Sequence, residues 1–130
     1  MRKLSFLLAC FLLPALAIAM SSPAGKYTGT WTGMQSDGAI NIALGQSAQG
    51  EWTADVSFTI GGQEVKCKTV RIKVDGDKLD LAYEFNVGGL QATSTVAGKF
   101  EGEKLEGKYS TKSAEGADVD QGTFKTTLSK

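Results

Sequence analysis

The stretch Gly25-Lys26-Tyr27-Thr28-Gly29-Thr30-Trp31-Thr32-Gly33 decides the fold. Its residues alternate. Tyr27, Gly29, Trp31 and Gly33 share one face of an extended chain, and Lys26, Thr28, Thr30 and Thr32 share the other. That period is the signature of a β-strand with one apolar and one solvated face. Within the stretch lies a smaller unit: glycine, any residue, aromatic. It occurs as Gly25-Lys26-Tyr27 and Gly29-Thr30-Trp31, then again as Gly50-Glu51-Trp52, Gly98-Lys99-Phe100, Gly107-Lys108-Tyr109 and Gly122-Thr123-Phe124. Residues two apart lie on one strand face. Each glycine therefore makes room beside an inward ring and permits the sharp bend of a narrow barrel. Deleting one such ring from a filled core costs about 3–5 kcal/mol.

The same alternation runs down the rest of the chain, with Gly, Asp and Asn at the breaks. Residues 39–44 place Ile40, Ile42 and Leu44 on one face. Residues 51–60 alternate without exception, with Trp52, Ala54, Val56, Phe58 and Ile60 inward, and Gly61-Gly62 follows as a hairpin signal. Residues 65–74 carry a phase error. Val65 and Cys67 share one parity, while Val70, Ile72 and Val74 share the other. A one-residue slip flips every side chain, so keeping both sets inside predicts a β-bulge near Lys68-Thr69. Asp75-Gly76 turns the chain into residues 78–87, with Leu79, Leu81, Tyr83, Phe85 and Val87 inward. Gly88-Gly89 leads into residues 90–100, with Leu90, Ala92, Ser94, Val96, Gly98 and Phe100 on one side. Leu105, Gly107 and Tyr109 mark the seventh strand, residues 113–121 read as a polar, acidic loop, and Phe124, Thr126 and Leu128 mark the last. No helical periodicity is present, and 16 glycines weigh against helices. The expectation is an all-β, eight-stranded antiparallel up-and-down (meander) barrel over residues 25–130, since short links join neighbouring strands and closure removes exposed edges.

Residues 1–19 read as a secretory signal peptide: Arg2 and Lys3, an apolar run containing Leu7, Leu8, Phe11, Leu12, Leu13 and Leu16, and Ala17-Ile18-Ala19 as the cleavage site. A membrane span needs about 20 apolar residues, and Pro14 interrupts this run. Leu7-Leu8-Ala9-Cys10 matches the motif of bacterial lipoprotein processing, which would make Cys10 a lipidated N-terminus. Too few apolar residues precede Cys10 for that cut, so Ala19 is preferred. The expected product is exported, periplasmic or secreted, with residues 20–24 as a short polar leader. Removing Arg2 and Lys3 leaves 12 basic against 14 acidic residues, a net charge of −2. That balance argues against nucleic acid or an anionic membrane as partner. Cys67 is then the only cysteine, so no intramolecular disulfide forms. It shares a strand face with Val65 and reads as a buried, inert thiol.

The chain holds no His, the usual general base near neutral pH and the commonest transition-metal ligand. It holds no nucleophile elbow, phosphate loop or dinucleotide fingerprint. Two acidic clusters, Asp75-Gly76-Asp77 with Asp80 and Asp118-Val119-Asp120 with Glu115, lack the spacing of a calcium loop and fit turn chemistry. Lys66, Lys68, Arg71 and Lys73 fit a solvated strand face. No enzyme, cofactor or metal is expected.

The unit Gly29-Thr30-Trp31 on the first strand resembles the Gly-x-Trp signature of the calycin superfamily, the lipocalins and avidins. The Gly-x-Trp start with repeated Gly-bounded hairpins is also similar to small exported bacterial proteins of unassigned function. The resemblance implies a basic side chain packed across the tryptophan, which Lys125 or Lys130 would supply as a cation–π contact. The remaining lipocalin motifs and the biotin contacts of avidins have no counterparts in this chain. A second resemblance, to a class of bacterial metalloprotease inhibitors, rests on the barrel and on Ser21-Ser22-Pro23 before Gly25. That class carries a disulfide, which this chain cannot form.

Two functions follow as expectations. The first is a non-enzymatic barrel binding a small apolar ligand at one end, with Tyr27, Trp31 and Tyr109 as its contacts. Gly29, Trp52, Phe58, Tyr83, Phe85, Phe100, Phe124 and Cys67 then serve the packing, with Trp31 in both roles. The second is a protein-binding module such as an exported protease inhibitor.

Overall fold

The computed structural model describes residues 23–129. The expected signal peptide, Cys10, residues 20–22 of the leader and Lys130 lie outside the described residues. Within them the chain forms nine strands: β1 (Gly25–Thr32), β2 (Asp37–Gln46), β3 (Trp52–Ile60), β4 (Gln63–Lys66), β5 (Lys68–Asp75), β6 (Lys78–Val87), β7 (Leu90–Glu101), β8 (Lys104–Ser113) and β9 (Asp118–Leu128). All pairings are antiparallel. Every strand pairs with its sequence neighbours except that β4 and β5 do not pair with each other, and β1 pairs with β9, so the sheet order is β4-β3-β2-β1-β9-β8-β7-β6-β5.

The two ends of that order, β4 and β5, are consecutive in the chain and separated only by Cys67. One strand path thus begins on β3 and finishes on β6. At the crossing point the Cys67 N–H donates to the Val56 carbonyl (3.0 Å) and the Thr69 hydroxyl donates to the Ala54 carbonyl (2.6 Å). These bonds draw β5 against β3 and nearly close the barrel.

The count of nine corrects the expected eight, and the cause is that partner switch. The strand expected over residues 65–74 splits at Cys67 because no single straight segment can ladder with both neighbours. The phase error has its own device. The β5–β6 register shifts between Thr69 and Arg71, leaving Val70 as the extra residue. Val70 is expelled to solvent at 56% exposure, against the expectation that it points inward, while Ile72 and Val74 keep to the barrel side. A second correction lies at β9. Residues 118–121, expected as loop, belong to the strand, with a register shift between Asp118 and Asp120 that leaves Val119 as the extra residue, part-exposed at the open end.

The inward parity otherwise builds the core. Ile42, Leu81 and Leu105 are fully buried, and each such side chain contributes about 1.5–3 kcal/mol. Gly29 faces inward, and a Cβ there would collide with the Lys125 carbonyl of β9. Its lack of a side chain lets β1 and β9 approach in a tight coil. Gly98 does what the sequence suggested of the whole set, leaving space filled by Leu105 and Phe124.

The two ends of the barrel differ. At one end Tyr27 packs on Phe100, with ring centroids 5.8 Å apart, above the buried Leu79 and Leu105. The Phe100 N–H donates to the Asp77 carbonyl and the Leu128 N–H to the Glu103 carbonyl, tying turns to strands there. The other end, where β1, β3, β6 and β8 finish, is hollow. Among the described residues no helix is long and apolar enough to cross a membrane.

Candidate ligand-binding site

The hollow end is a cup of about 130 Å³. Its floor is Ile42, Val96 and Phe124, residues set deepest along their strands. Its walls carry most of the barrel's aromatic rings. Trp31 meets Phe58 and Tyr109 edge to face, with centroids 6.0 and 6.2 Å apart. Phe58 meets Phe85 in the same manner at 4.9 Å, and Tyr83 tilts against Phe85 at 6.0 Å. Such edge-to-face pairs are favourable beyond their buried area. Leu90 and Val119 line the cup and are themselves 41% and 42% exposed, so it opens to solvent at the rim. Met34, in the β1–β2 turn, is 65% exposed, and its backbone N–H bonds the rim residue Asp120.

Trp31 is held from two sides. Its indole N–H donates to the Thr59 carbonyl on β3 (3.1 Å), reaching across β2. It passes over Gly38, the β2 residue in register with Trp31, where a Cβ would meet both the indole nitrogen and the Thr59 carbonyl. The expected cation–π contact is not made by Lys125. Lys125 pairs with Thr30 on the outward face, opposite in parity to Trp31. Lys130 lies outside the described residues.

Tyr109 is anchored at the rim. Its phenol donates to Asp120 (2.8 Å), and the other oxygen of the same carboxylate accepts the Met34 N–H (2.9 Å). Burial pushes the Tyr109 phenol well above the ordinary tyrosine range, and the bond to Asp120 and its charge push the same way. Tyr83 is raised too, first by burial and then by the charge of Cys67, against a hydrogen bond from Ser94 that lowers it. Cys67, outside the cup and half-buried against the core, has its thiol pushed up to about 12 by burial. A thiol held protonated is a poor nucleophile.

The structure brings together two of the three expected ligand contacts. Trp31 and Tyr109 line the cup; Tyr27 does not. Tyr27 sits four residues further along β1, 1% exposed, with its phenol donating to the Pro23 carbonyl (2.9 Å). Of the residues expected only to pack, Phe58, Tyr83, Phe85 and Phe124 also line the cup, whereas Trp52 and Phe100 flank the core at half-burial. Sequence reading missed Thr111 and Asp120. Thr111 continues the inward parity of Leu105, Gly107 and Tyr109, a signal that a polar residue concealed. Asp120 was hidden by assigning its segment to a loop.

The acidic residues have partners of their own. Asp80 pairs with Arg71 (2.9 Å), Asp118 with Lys112 (2.6 Å), and Asp120 with Tyr109 and Met34. Among the described residues no group of three or more potential metal ligands converges.

What fold and site define is a class: a small all-antiparallel, nearly closed β-barrel, compatible with a calycin-like architecture, with one end packed and the other an aromatic cup. Compared with known protein families and with curated proteins, the chain matches none.

Proposed function

We propose that this protein is an exported, non-enzymatic binder that holds a small apolar molecule in the cup at the open end of its barrel. The observation that carries the reading is the cup itself. A barrel of this girth can fill its interior with its own side chains, as the Tyr27–Phe100 end does. The other end leaves about 130 Å³ between its rings and opens past Leu90 and Val119. Apolar cavities of about 150 Å³ accept benzene, so a single-ring compound matches the space. Trp31 and Tyr109 are the expected contacts on the β1 and β8 sides, facing Phe58 and Phe85. Exposed Met34, Leu90 and Val119 give the mouth an apolar rim along which such a molecule enters.

The test is a titration with toluene and with indole, followed through the Trp31 indole N–H resonance. Native mass spectrometry of protein recovered from its own host accompanies it. Saturable shifts at Trp31 with none at Trp52 are expected. Finding no shift with either compound and no co-purifying small molecule would overturn the reading.

A further inference from the structure

Three hydroxyls interrupt the apolar wall of the cup. Ser94 on β7 and Thr111 on β8 stand in register, 2% and 5% exposed, with their oxygens 2.5 Å apart. On the other side Ser94 is in register with Tyr83 of β6, whose phenol is buried in the same wall. All three residues line the cup. They own three O–H protons, and the Ser94–Thr111 link uses one. At least one of the other two has no acceptor in the protein among the described residues. A buried O–H without an acceptor is costly, and Val, Ala or Phe would fill the same volume without that cost. The empty space beside the trio is where an acceptor fits.

We propose that the Tyr83–Ser94–Thr111 trio donates a hydrogen bond to an oxygen of the bound molecule, so that the ligand is a single-ring apolar compound bearing one neutral acceptor oxygen. The inference rests on the reading of the cup as a ligand site. Ser94 lies two pleats below Leu90 and one above Val96, which puts the oxygen at mid-depth, against the β6–β8 wall. The neutral character follows from the lining. No Lys or Arg faces the cup, so a carboxylate would be buried without a counter-charge. Asp120, the acidic group at the rim, already spends both oxygens on Tyr109 and Met34.

Acetophenone and α-methylstyrene test this. They share one shape and differ in carrying O or CH₂ on the same carbon. Dissociation constants for both are measured on the full-length mature chain and on Thr111→Val and Ser94→Ala, with Tyr83→Phe as a further variant should either fail to fold. The ratio of the α-methylstyrene constant to the acetophenone constant is expected to fall about tenfold in the variants, the worth of one neutral hydrogen bond. An unchanged ratio in every folded variant overturns the hydroxyl assignment and leaves the ligand site standing. Failure of both compounds to bind the wild type overturns both.

Discussion

The indole N–H of Trp31 donates to the carbonyl of Thr59, 28 residues away and two strands over, because the intervening residue is Gly38. This relation fixes the tilt of the ring that walls one side of the cup. Gly38→Ala would place a methyl group against both the indole and the Thr59 carbonyl. Its expected cost is about 1–3 kcal/mol from overpacking, read by urea denaturation, with an upfield move of the Trp31 N–H resonance as the hydrogen bond lengthens. Trp31→Phe keeps a ring but loses the bond, and should cost a similar amount. A stable Gly38→Ala with an unmoved Trp31 resonance would refute this account.

Glycines of the same sequence unit should not be equivalent. At Gly29 a Cβ runs into the Lys125 backbone, which cannot move without opening the β1–β9 ladder. At Gly98 it meets Leu105 Cδ1 at 3.0 Å and Phe124 Cζ at 3.2 Å, the ends of side chains that can give way. Gly29→Ala is therefore expected to cost at least 3 kcal/mol or to abolish folding, at the upper end of overpacking effects, and Gly98→Ala about 1 kcal/mol. Comparable midpoints in thermal denaturation would contradict the distinction.

Asp120 joins a donor on β8 to one in the β1–β2 turn at the rim. Asp120→Ala strands the Tyr109 phenol and the Met34 N–H, for an expected loss of about 1–3 kcal/mol. Asp120→Asn retains an acceptor for Met34 and a partner for the phenol, and should lose less. The negative charge of Asp120 opposes ionisation of Tyr109. Tyrosinate absorbance near 295 nm should thus begin to rise at lower pH in both variants than in the wild type. An unaltered onset would remove Asp120 from that role.

Stability should fall in alkali. The Cys67 thiol ionises near its ordinary value of 9.0 when unfolded, and burial pushes it up to about 12 when folded. Above pH 9 the unfolded chain releases this proton and the native chain keeps it. The stabilisation is therefore complete below about pH 9 and is lost as pH climbs towards about 12. Tyr83, raised above 10.0 by burial, adds a loss of the same sign beginning at higher pH. Cys67→Ala should flatten the stability profile in the lower part of that window. Alkylation of Cys67 by iodoacetamide at pH 8 should be at least about a hundredfold slower in the native protein than in urea, since the thiolate is the reacting form. Equal rates would mean that the thiol is not shielded.

The alternation of β1, β2, β3, β6 and β7 was legible because each buries one face, and period two is all that a half-buried strand requires. The parity of Tyr27, Trp31, Phe58 and Tyr83 came from the same rule, and each lies buried. The phase error between Cys67 and Val70 was legible as a defect needing an extra residue. Its resolution into two strands was not. Whether Lys68–Asp75 stays with β3 or crosses to β6 depends on how far the barrel has closed, which no local pattern encodes. The segment 118–121 misled because acidic, turn-forming residues also serve in a strand when a bulge at Val119 leaves Asp120 facing Tyr109.

By itself, then, the sequence determined that this is a barrel of short antiparallel strands, which residues face its axis, and that glycine beside a ring is its packing device. Parity depends only on the pleat, so it can be read one residue at a time. Only the tertiary structure decided that one end is filled and the other hollow, that Tyr27 belongs to the first and Trp31 with Tyr109 to the second, and that three hydroxyls meet in the wall. Those outcomes depend on how rings from strands distant in sequence tilt against one another at the same height, and facing inward says nothing about how much volume remains there.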